Sequence, residues 1–425
     1  MSAMFNIQRI DEREGDYSRS LELFEAAHEK DPNEIATMLV LARIYKAKGE
    51  NERSLAMVNK AYQLDPNALM PNLLLAAAAL AARDYVAMEQ YATTAISNHP
   101  QSARAQALMG VTQLRRSEFK AAIESFTKAL EIEPDEFMYH YHLANAQLGS
   151  SQLAQARDSY ARALELNPSH LASIRSLAVL EVRAKNTARA DELLKLAAAQ
   201  HGEQNAQVLE LVADVRAIQG RPDEALAAFE QAQALQATWP RAAKMYQLRA
   251  NNKMPDPTAP LQAWVDKTPG DATARLMLAQ GYQRLQENAR AIEQYEAVLK
   301  LRPDAVLARN NLAWLYMESG GAGSLKRARD QAAQAFELAG DNPDVADTYG
   351  WILFRIGEAD KGIEILRQAV AAAGPQQSPD IAYHLAAALN ETGATTEARE
   401  LLTQALQSGA KFASRADAQR LFDTL

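Results

Sequence analysis

Residues 134–168 read PDEFMYHYHLANAQLGSSQLAQARDSYARALELNP, and this stretch decides the fold. Pro134 and Pro168 bound it, 34 residues apart. Pro32, Pro66 and Pro100 precede them at the same interval, and the spacing returns between Pro269 and Pro303. Five residues before each early proline stands an alanine: Ala27, Ala61, Ala95, Ala129 and Ala163. Continuing the register reaches Ala197 ahead of Gly202, where glycine takes the place of proline. A fixed period of this length marks a repeat architecture rather than a set of unrelated domains.

Each unit is counted here from the third residue after its proline. Position 7 is then large and position 8 small, as in Leu41-Ala42, Leu143-Ala144, Leu177-Ala178, Leu278-Ala279 and Leu312-Ala313. Position 11 is often aromatic (Tyr45, Tyr282, Tyr316), and position 15 is often glycine (Gly15, Gly49, Gly320, Gly357, Gly393). Position 24 is bulky: Phe24, Phe126, Tyr160, Leu194 and Tyr295. These steps follow helical periodicity on either side of a short turn. The spacing predicts a helical hairpin. Small residues let the two backbones approach, and large ones fill the groove between them. Glycine near position 15 can take the positive φ that ends the first helix, and proline stops the second.

With this pattern the chain resembles a tetratricopeptide repeat (TPR) array over essentially its whole length. The resemblance implies an all-α, right-handed superhelical solenoid of about twelve helix hairpins. Seven units occupy 1–238. An irregular, proline-rich unit follows at 239–271, four more fill 272–412, and a capping helix closes the chain at 413–425. Three places depart from the pattern. MPDPTAP at 254–260 predicts a stiff turn, a short second helix and a kink. Gly320-Gly321-Ala322-Gly323-Ser324 and GPQQSP at 374–379 predict irregular turns where a partner could dock.

Composition narrows the function. Lys and Arg number 45 against 53 Asp and Glu, a net charge of −8, which argues against a sequence-independent grip on nucleic acid. There is no cysteine, so disulfides, thiolate metal sites and cysteine nucleophiles are excluded. Only 18 glycines and 16 prolines interrupt a helix-forming, alanine- and leucine-rich chain. The longest apolar run, Leu73 to Ala82, is about half of the ~20 residues a membrane span needs. MSAMFNIQRI lacks the charged start and long apolar stretch of a signal peptide. No membrane span is expected in this chain.

No catalytic constellation is readable, and no cofactor or metal is expected. The histidines His28, His99, His140, His142, His170, His201 and His384 are scattered across repeats. His140 and His142 are two apart on a helix, so they point about 200° apart and cannot share one ion. Neither HExxH nor GxSxG occurs. The glycine run at 320–324 leads into Leu325-Lys326-Arg327 rather than the Lys-Ser/Thr of a phosphate loop. Asp347 and Glu391 read as solvated or salt-bridged carboxylates. The expected function is binding, in a long concave groove.

In TPR arrays that groove is lined by the first helix of each unit, near positions 2, 5, 9, 12 and 13. Transferring this phase names Arg43, Arg104, Arg115, Tyr141, Asn145, Arg175, Arg183 and Arg216 in the early units. The later units offer Gln280, Gln283, Arg284, Asn310, Trp314, Asp347, Trp351, Arg355, Tyr383 and Asn390. The arginines suit an acidic polypeptide or uronate polysaccharide. Trp314 and Trp351 share position 9 in consecutive units. As neighbours they would suit a sugar face or an extended peptide, or would simply pack between first helices. The carboxylate clamp of chaperone-binding TPR proteins is not present. Asn311 fits one of its positions, but Leu276, Gln280, Asp344 and Thr348 stand at the flanking ones.

The last third carries a sharper resemblance. LQAWVDKTPGDATARLMLAQGYQ (261–283), NNLAWLY (310–316), DTYGWIL (347–353), YHLAAALNETG (383–393) and KFASRADAQRLFDTL (411–425) are similar to the C-terminal region of the TPR-repeat lipoprotein of PEP-CTERM/exosortase systems, the PrsT type. The resemblance implies a periplasmic, outer-membrane-associated scaffold that helps assemble or export exopolysaccharide. Its partners would be envelope polysaccharide-export proteins and the polysaccharide itself. The family's lipid-anchor cysteine has no counterpart in this sequence. A cytoplasmic TPR adaptor, and the TPR half of a larger enzyme such as a glycosyltransferase, are the alternatives.

Overall fold

The computed structural model describes residues 16–373 and 378–425. Among the described residues there are 24 helices and no strand. The first helix of unit 1–34, with Gly15, and most of GPQQSP lie outside them. The chain divides into two compact units, one ending at Leu235 and the next beginning at Gln236.

In the N-terminal unit α1 (Ser18–Lys30) precedes six complete hairpins. These are α2 (Ile35–Ala47) with α3 (Asn51–Leu64), α4 (Leu69–Ala82) with α5 (Tyr85–Asn98), and α6 (Ala103–Arg115) with α7 (Phe119–Ile132). Next come α8 (Phe137–Gly149) with α9 (Leu153–Leu166), α10 (Leu171–Arg183) with α11 (Thr187–His201), and α12 (Ala206–Ile218) with α13 (Pro222–Leu235). The C-terminal unit holds α14 (Trp239–Asn251) with α15 (Ala259–Lys267), and α16 (Ala272–Arg284) with α17 (Asn288–Leu301). It continues with α18 (Val306–Ser319) and α19 (Ala322–Ala339), α20 (Pro343–Arg355) and α21 (Ala359–Ala373), and α22 (Pro379–Glu391) and α23 (Thr395–Gln407). The last helix, α24 (Arg415–Thr424), packs on both α22 and α23. Asp380 in the first turn of α22 ties it down by accepting from the Ser414 backbone N–H at 2.8 Å and the Ser414 hydroxyl at 2.7 Å.

Small residues sit where the helices cross. Ala76, Ala144, Ala178, Ala279 and Ala313 at position 8 are buried, and so are Ala122, Ala156, Ala190, Ala291 and Ala398 at position 20. The position-27 alanines from Ala61 to Ala197 are buried too. In the α20–α21 hairpin both crossing residues are glycine. A Cβ on Gly362 would lie 2.7 Å from the Phe354 backbone nitrogen and 2.8 Å from the Gly350 carbonyl. Phe126, Tyr160 and Tyr295 at position 24 fill the flanking groove and are fully buried.

Neighbouring units are joined by two recurring devices. The position-11 tyrosine reaches back to the second helix of the preceding unit. Tyr45 donates to Glu25 Oε1 at 2.6 Å and Tyr282 to Gln262 Oε1 at 2.7 Å, while Tyr316 bonds Glu296 in the same way. An arginine of the unit's own second helix covers each ring, with Arg53 4.1 Å, Arg290 3.9 Å and Arg327 4.3 Å from the centroid. The second device holds the proline turn. Its carbonyl accepts from the position-4 side chain: Asn72 on Pro66, Gln106 on Pro100, Arg275 on Pro269 and Arg309 on Pro303. His140 Nε2 lies 2.8 Å from the Pro134 carbonyl in the same place. Each second helix ahead of a position-32 proline ends two residues before it, at Leu64, Ile132, Leu166 and Leu301 for example.

The position-15 glycines Gly49, Gly320, Gly357 and Gly393 take the positive φ expected of them. Position 15 takes positive φ without glycine in Arg83, Ser117, Ser151, Lys185, Lys253 and Gln286. The geometry belongs to the turn, and glycine only lowers its cost. The glycine-rich insertion makes a short turn and then continues as helix. Gly320 and Gly321 make the turn, at φ 68° and 79°, while Gly323 and Ser324 already lie in α19, which runs 18 residues.

The crossing distances give a test. Gly362→Ala forces a methyl against backbone and should cost about 1–3 kcal/mol. Gly323→Ala, on the same type of helix with open space around it, should be neutral or stabilise by up to about 1 kcal/mol. Thermal unfolding of the two variants checks both; equal effects would mean the crossing is not tight.

Candidate functional site

Packing between successive first helices decides which candidate side chains gather. In the C-terminal unit α18, α20 and α22 lie side by side, and their position-5, -6 and -9 side chains converge. Asp347 on α20 is 7% exposed and His384 on α22 is also 7% exposed. Nδ1 of His384 meets both carboxylate oxygens of Asp347, at 2.8 and 3.0 Å. The Trp351 indole stacks on the imidazole with ring centroids 4.7 Å apart and an interplanar angle of 19°. Trp314 on α18 approaches the same imidazole at 5.6 Å and donates from Nε1 to Glu318 at 2.9 Å. Arg355 lies 5.6 Å from the Trp351 ring, and Tyr383 flanks His384 at 5.7 Å.

Of the two readings open for the tryptophans, Trp351 takes the packed one and Trp314 is only partly covered. Trp351, at 8% exposure, is packed between first helices, and Asp347 is a buried partner of His384 rather than a groove ligand. The half-buried Trp314 and Tyr383 and the exposed Arg355 remain at the surface of the cluster. Asn390 and Gln280 are half-buried elsewhere on first helices. Asn310 is half-buried with its side-chain oxygen covered and unbonded, and Gln283 accepts from the Tyr295 hydroxyl at 2.7 Å. His384 escaped the sequence reading. Its signal is a separation of 37 residues from Asp347, close to one repeat, which brings positions 5 and 6 of consecutive first helices together.

The arginine-lined face of the N-terminal unit is only partly open. Arg175 on α10 donates to Asp214 on α12 at 2.7 Å, and Arg216 donates to Asp191 at 2.6 Å and Gln219 at 2.7 Å. These two bridge helices, and their charge is already neutralised. Arg43 is exposed. Arg104, Arg115 and Arg183 are exposed with no carboxylate at ion-pair distance among the described residues. Asn145 is used internally, accepting from the Tyr160 hydroxyl at 2.6 Å. Tyr141 is half-buried in a ring cluster, 4.8 Å from His170 and 5.9 Å from Tyr160. His142 stacks on Phe126 at 5.5 Å.

Among the described residues no three His, Asp or Glu side chains gather to hold a metal ion. No described helix is long and apolar enough to cross a membrane. The geometry is that of side-chain ridges on stacked hairpins. The Tetratricopeptide repeat family pattern matches residues 13–61, 73–137, 139–170, 276–344 and 349–413, together about two thirds of the chain. The chain is a tetratricopeptide repeat protein. No curated protein matches the TPR sequence. Among solved structures it is similar to PilF of Pseudomonas aeruginosa at 19% identity, covering 49% of this chain and 95% of that one with a TM-score of 0.43. A tetratricopeptide repeat protein from Parabacteroides merdae is similar at 15% identity, covering 58% and 97%, with a TM-score of 0.46. MamA from Desulfovibrio magneticus is similar at 18% identity, covering 40% and 96%, with a TM-score of 0.36. The family assignment rests on the repeat pattern and the hairpin packing rather than on these partial overlaps.

Two measurements follow from the buried histidines. Burial pushes the His142 imidazole down to about 4, with Arg115 and His170 adding to it, and burial lowers His170 as well. The unfolded chain takes up that proton near the ordinary value of 6.5, so below it the unfolded state gains protons the folded state refuses. The stability that the buried His142 allows is therefore full above pH 6.5 and is lost toward pH 4, by about 3 kcal/mol at most. His142→Phe should flatten most of this slope in urea unfolding followed across that range. At the other cluster, His384→Ala leaves a buried carboxylate unpaired and should cost about 3–5 kcal/mol. Asp347→Ala leaves an imidazole N–H unpaired and should cost about 1–3 kcal/mol. Tryptophan fluorescence during urea unfolding reads both, and the reverse order would refute the buried-pair account.

Proposed function

We propose that this TPR protein is a non-catalytic scaffold that docks other proteins. The observation that carries the reading is the ridge of α18, α20 and α22, where Trp314, Tyr383 and Arg355 reach the surface above a buried Asp347–His384 pair. The pair and the Trp351 stack lock α20 to α22, and Trp314 of α18 approaches the same imidazole at 5.6 Å. The surface side chains are thus presented on a rigid base, which lowers the ordering cost of binding. An aromatic ring beside a guanidinium is the residue mix that dominates protein interfaces.

The proposal extends to where the scaffold works. The resemblance of residues 261–283, 310–316, 347–353, 383–393 and 411–425 to the PrsT-type lipoprotein supports a role in exopolysaccharide assembly or export at the cell envelope. The partners would be export proteins, with the polysaccharide as a further ligand, and the location would be the periplasmic face of the outer membrane.

The test is affinity capture from an envelope extract of the source cells, read by peptide mass spectrometry and total-sugar assay. A Trp314→Ala/Arg355→Glu double variant, shown to melt like the parent, serves as the comparison. Recovery of export-machinery proteins or polysaccharide, reduced at least about fivefold in the variant, is the expected result. Recovery of cytosolic proteins alone would overturn the envelope role, and equal recovery by both proteins would overturn the ridge as the docking surface.

A further inference from the structure

The irregular unit is where the repeat pattern fails, and it carries a cavity. In a regular unit such as α16–α17, three residues separate the helices, 285–287. Between α14 and α15 the gap is 252–258, and α15 has only nine residues. About one turn of the second helix has been replaced by loop. The cause is local. Pro255 and Pro257 disfavour helical backbone at Met254 and Asp256, and Asp256 takes φ 45°.

The loop is nevertheless held. The Met254 N–H donates to the Arg249 carbonyl at 2.9 Å, and Arg249 donates to the Pro255 carbonyl at 2.9 Å. The Ala259 N–H closes the far end on the Asp256 carbonyl at 3.1 Å. The missing helical turn leaves a half-open cavity of about 490 Å³ between α14, the loop and α16. Tyr246, Met254, Pro257 and Leu285 give it apolar walls. Gly281 lines it without a side chain, and a Cβ there would come within 2.8 Å of the Thr258 methyl.

Two cations also line the cavity, Lys253 and Arg284. Both are exposed, and neither has a carboxylate at ion-pair distance among the described residues. This matters in a chain of net charge −8, where arginines such as Arg175 and Arg216 are matched by nearby acids. An apolar cavity rimmed by two unmatched cations is complementary to an apolar group with an anion beside it. Its volume suits one or two bulky side chains, not a folded surface.

We propose that this cavity receives an acidic–aromatic segment of a partner polypeptide. An aromatic side chain enters between Tyr246, Met254 and Leu285, and flanking carboxylates meet Lys253 and Arg284. The site is distinct from the α18–α20–α22 ridge and its test does not depend on it.

The probe is a capped tripeptide with tryptophan between two glutamates, titrated calorimetrically into the full chain at low salt. The expected result is saturable binding that weakens at least about tenfold in Lys253→Glu/Arg284→Glu. Because both positions are exposed, the milder Lys253→Ala/Arg284→Ala pair, which should still fold if the reversal does not, is measured alongside and should also weaken binding. Ala250 also lines the cavity, and Ala250→Trp, which puts an indole into that space, should abolish binding. Tripeptides with alanine in the centre, or with lysines as flanks, should bind at least about tenfold more weakly. No binding by the acidic tryptophan peptide, or binding unchanged by the cation variants, would overturn the proposal. Preferential binding of a uronate oligosaccharide at the same residues would overturn it too. Trp314→Ala/Arg355→Glu should leave the peptide affinity unchanged, so loss of captured partners in that variant tests the ridge alone.

Discussion

The structure depends on how closely two backbones approach inside each hairpin. Where positions 8 and 20 are both glycine, at Gly350 and Gly362, an added Cβ would meet backbone atoms at 2.7–3.0 Å. Alanine fills both corresponding sites in four other units, at Ala144 with Ala156, Ala178 with Ala190, Ala279 with Ala291 and Ala386 with Ala398, and is fully buried there. Such a crossing has no slack, so it fixes the register of the second helix on the first. It also leaves the bulky position-24 side chain one place to go, beside the crossing. Register within a hairpin then sets register between hairpins. The position-11 tyrosine can reach the preceding unit's second helix only if both hairpins have the same depth, as at Tyr45–Glu25 and Tyr282–Gln262.

That chain of constraint explains what was legible in the sequence. The same crossing is sampled in unit after unit, so residue size at positions 8, 20, 24 and 27 repeats where the structure needs it. The turn was less legible. Ser151 and Gln286 take the same left-handed turn conformation as Gly49 and Gly393, because the surrounding hydrogen bonds impose it. The site was less legible still. A phase transferred from the repeat says that position 9 faces other first helices, but not whether the next unit covers it. Trp351 is covered, since His384 stacks on it and Ala387, at the equivalent position of the next unit, is buried in the same cluster. Trp314 keeps part of its surface. One residue type at one repeat position therefore serves as core in one unit and as surface in its neighbour.

Charges divide along the same line. Arg157 forks onto the buried Glu181 through Nε at 2.9 Å and a terminal nitrogen at 2.8 Å, and Arg175 and Arg216 close similar bridges. A bidentate pair across packed helices restricts their sliding as well as neutralising charge. Reading every first-helix arginine as a ligand for an acidic chain overlooks this use. The cations that matter for docking are those the array leaves unmatched. Among the described residues these include Arg104, Arg115 and Arg183 in one unit and Lys253 and Arg284 in the other.

The irregular unit shows how a repeat protein can give up one turn of helix without losing its core. What remains of α15 keeps its buried face, with Leu261 and Val265 at 0% and 2% exposure. The neighbouring unit still grips it, because Tyr282 reaches Gln262, and Trp264 donates at 3.0 Å to Asp271, the residue that caps α16. The deleted turn lay beyond those contacts, at the end of the hairpin facing the turn. Those contacts therefore do not need it, and the cavity beside Gly281 lies where the helix is shortened. Departures from the repeat that keep the hydrogen bonds to the neighbouring unit are free to vary in chemistry. That makes residues 252–258 a better place to look for specificity than the conforming units on either side.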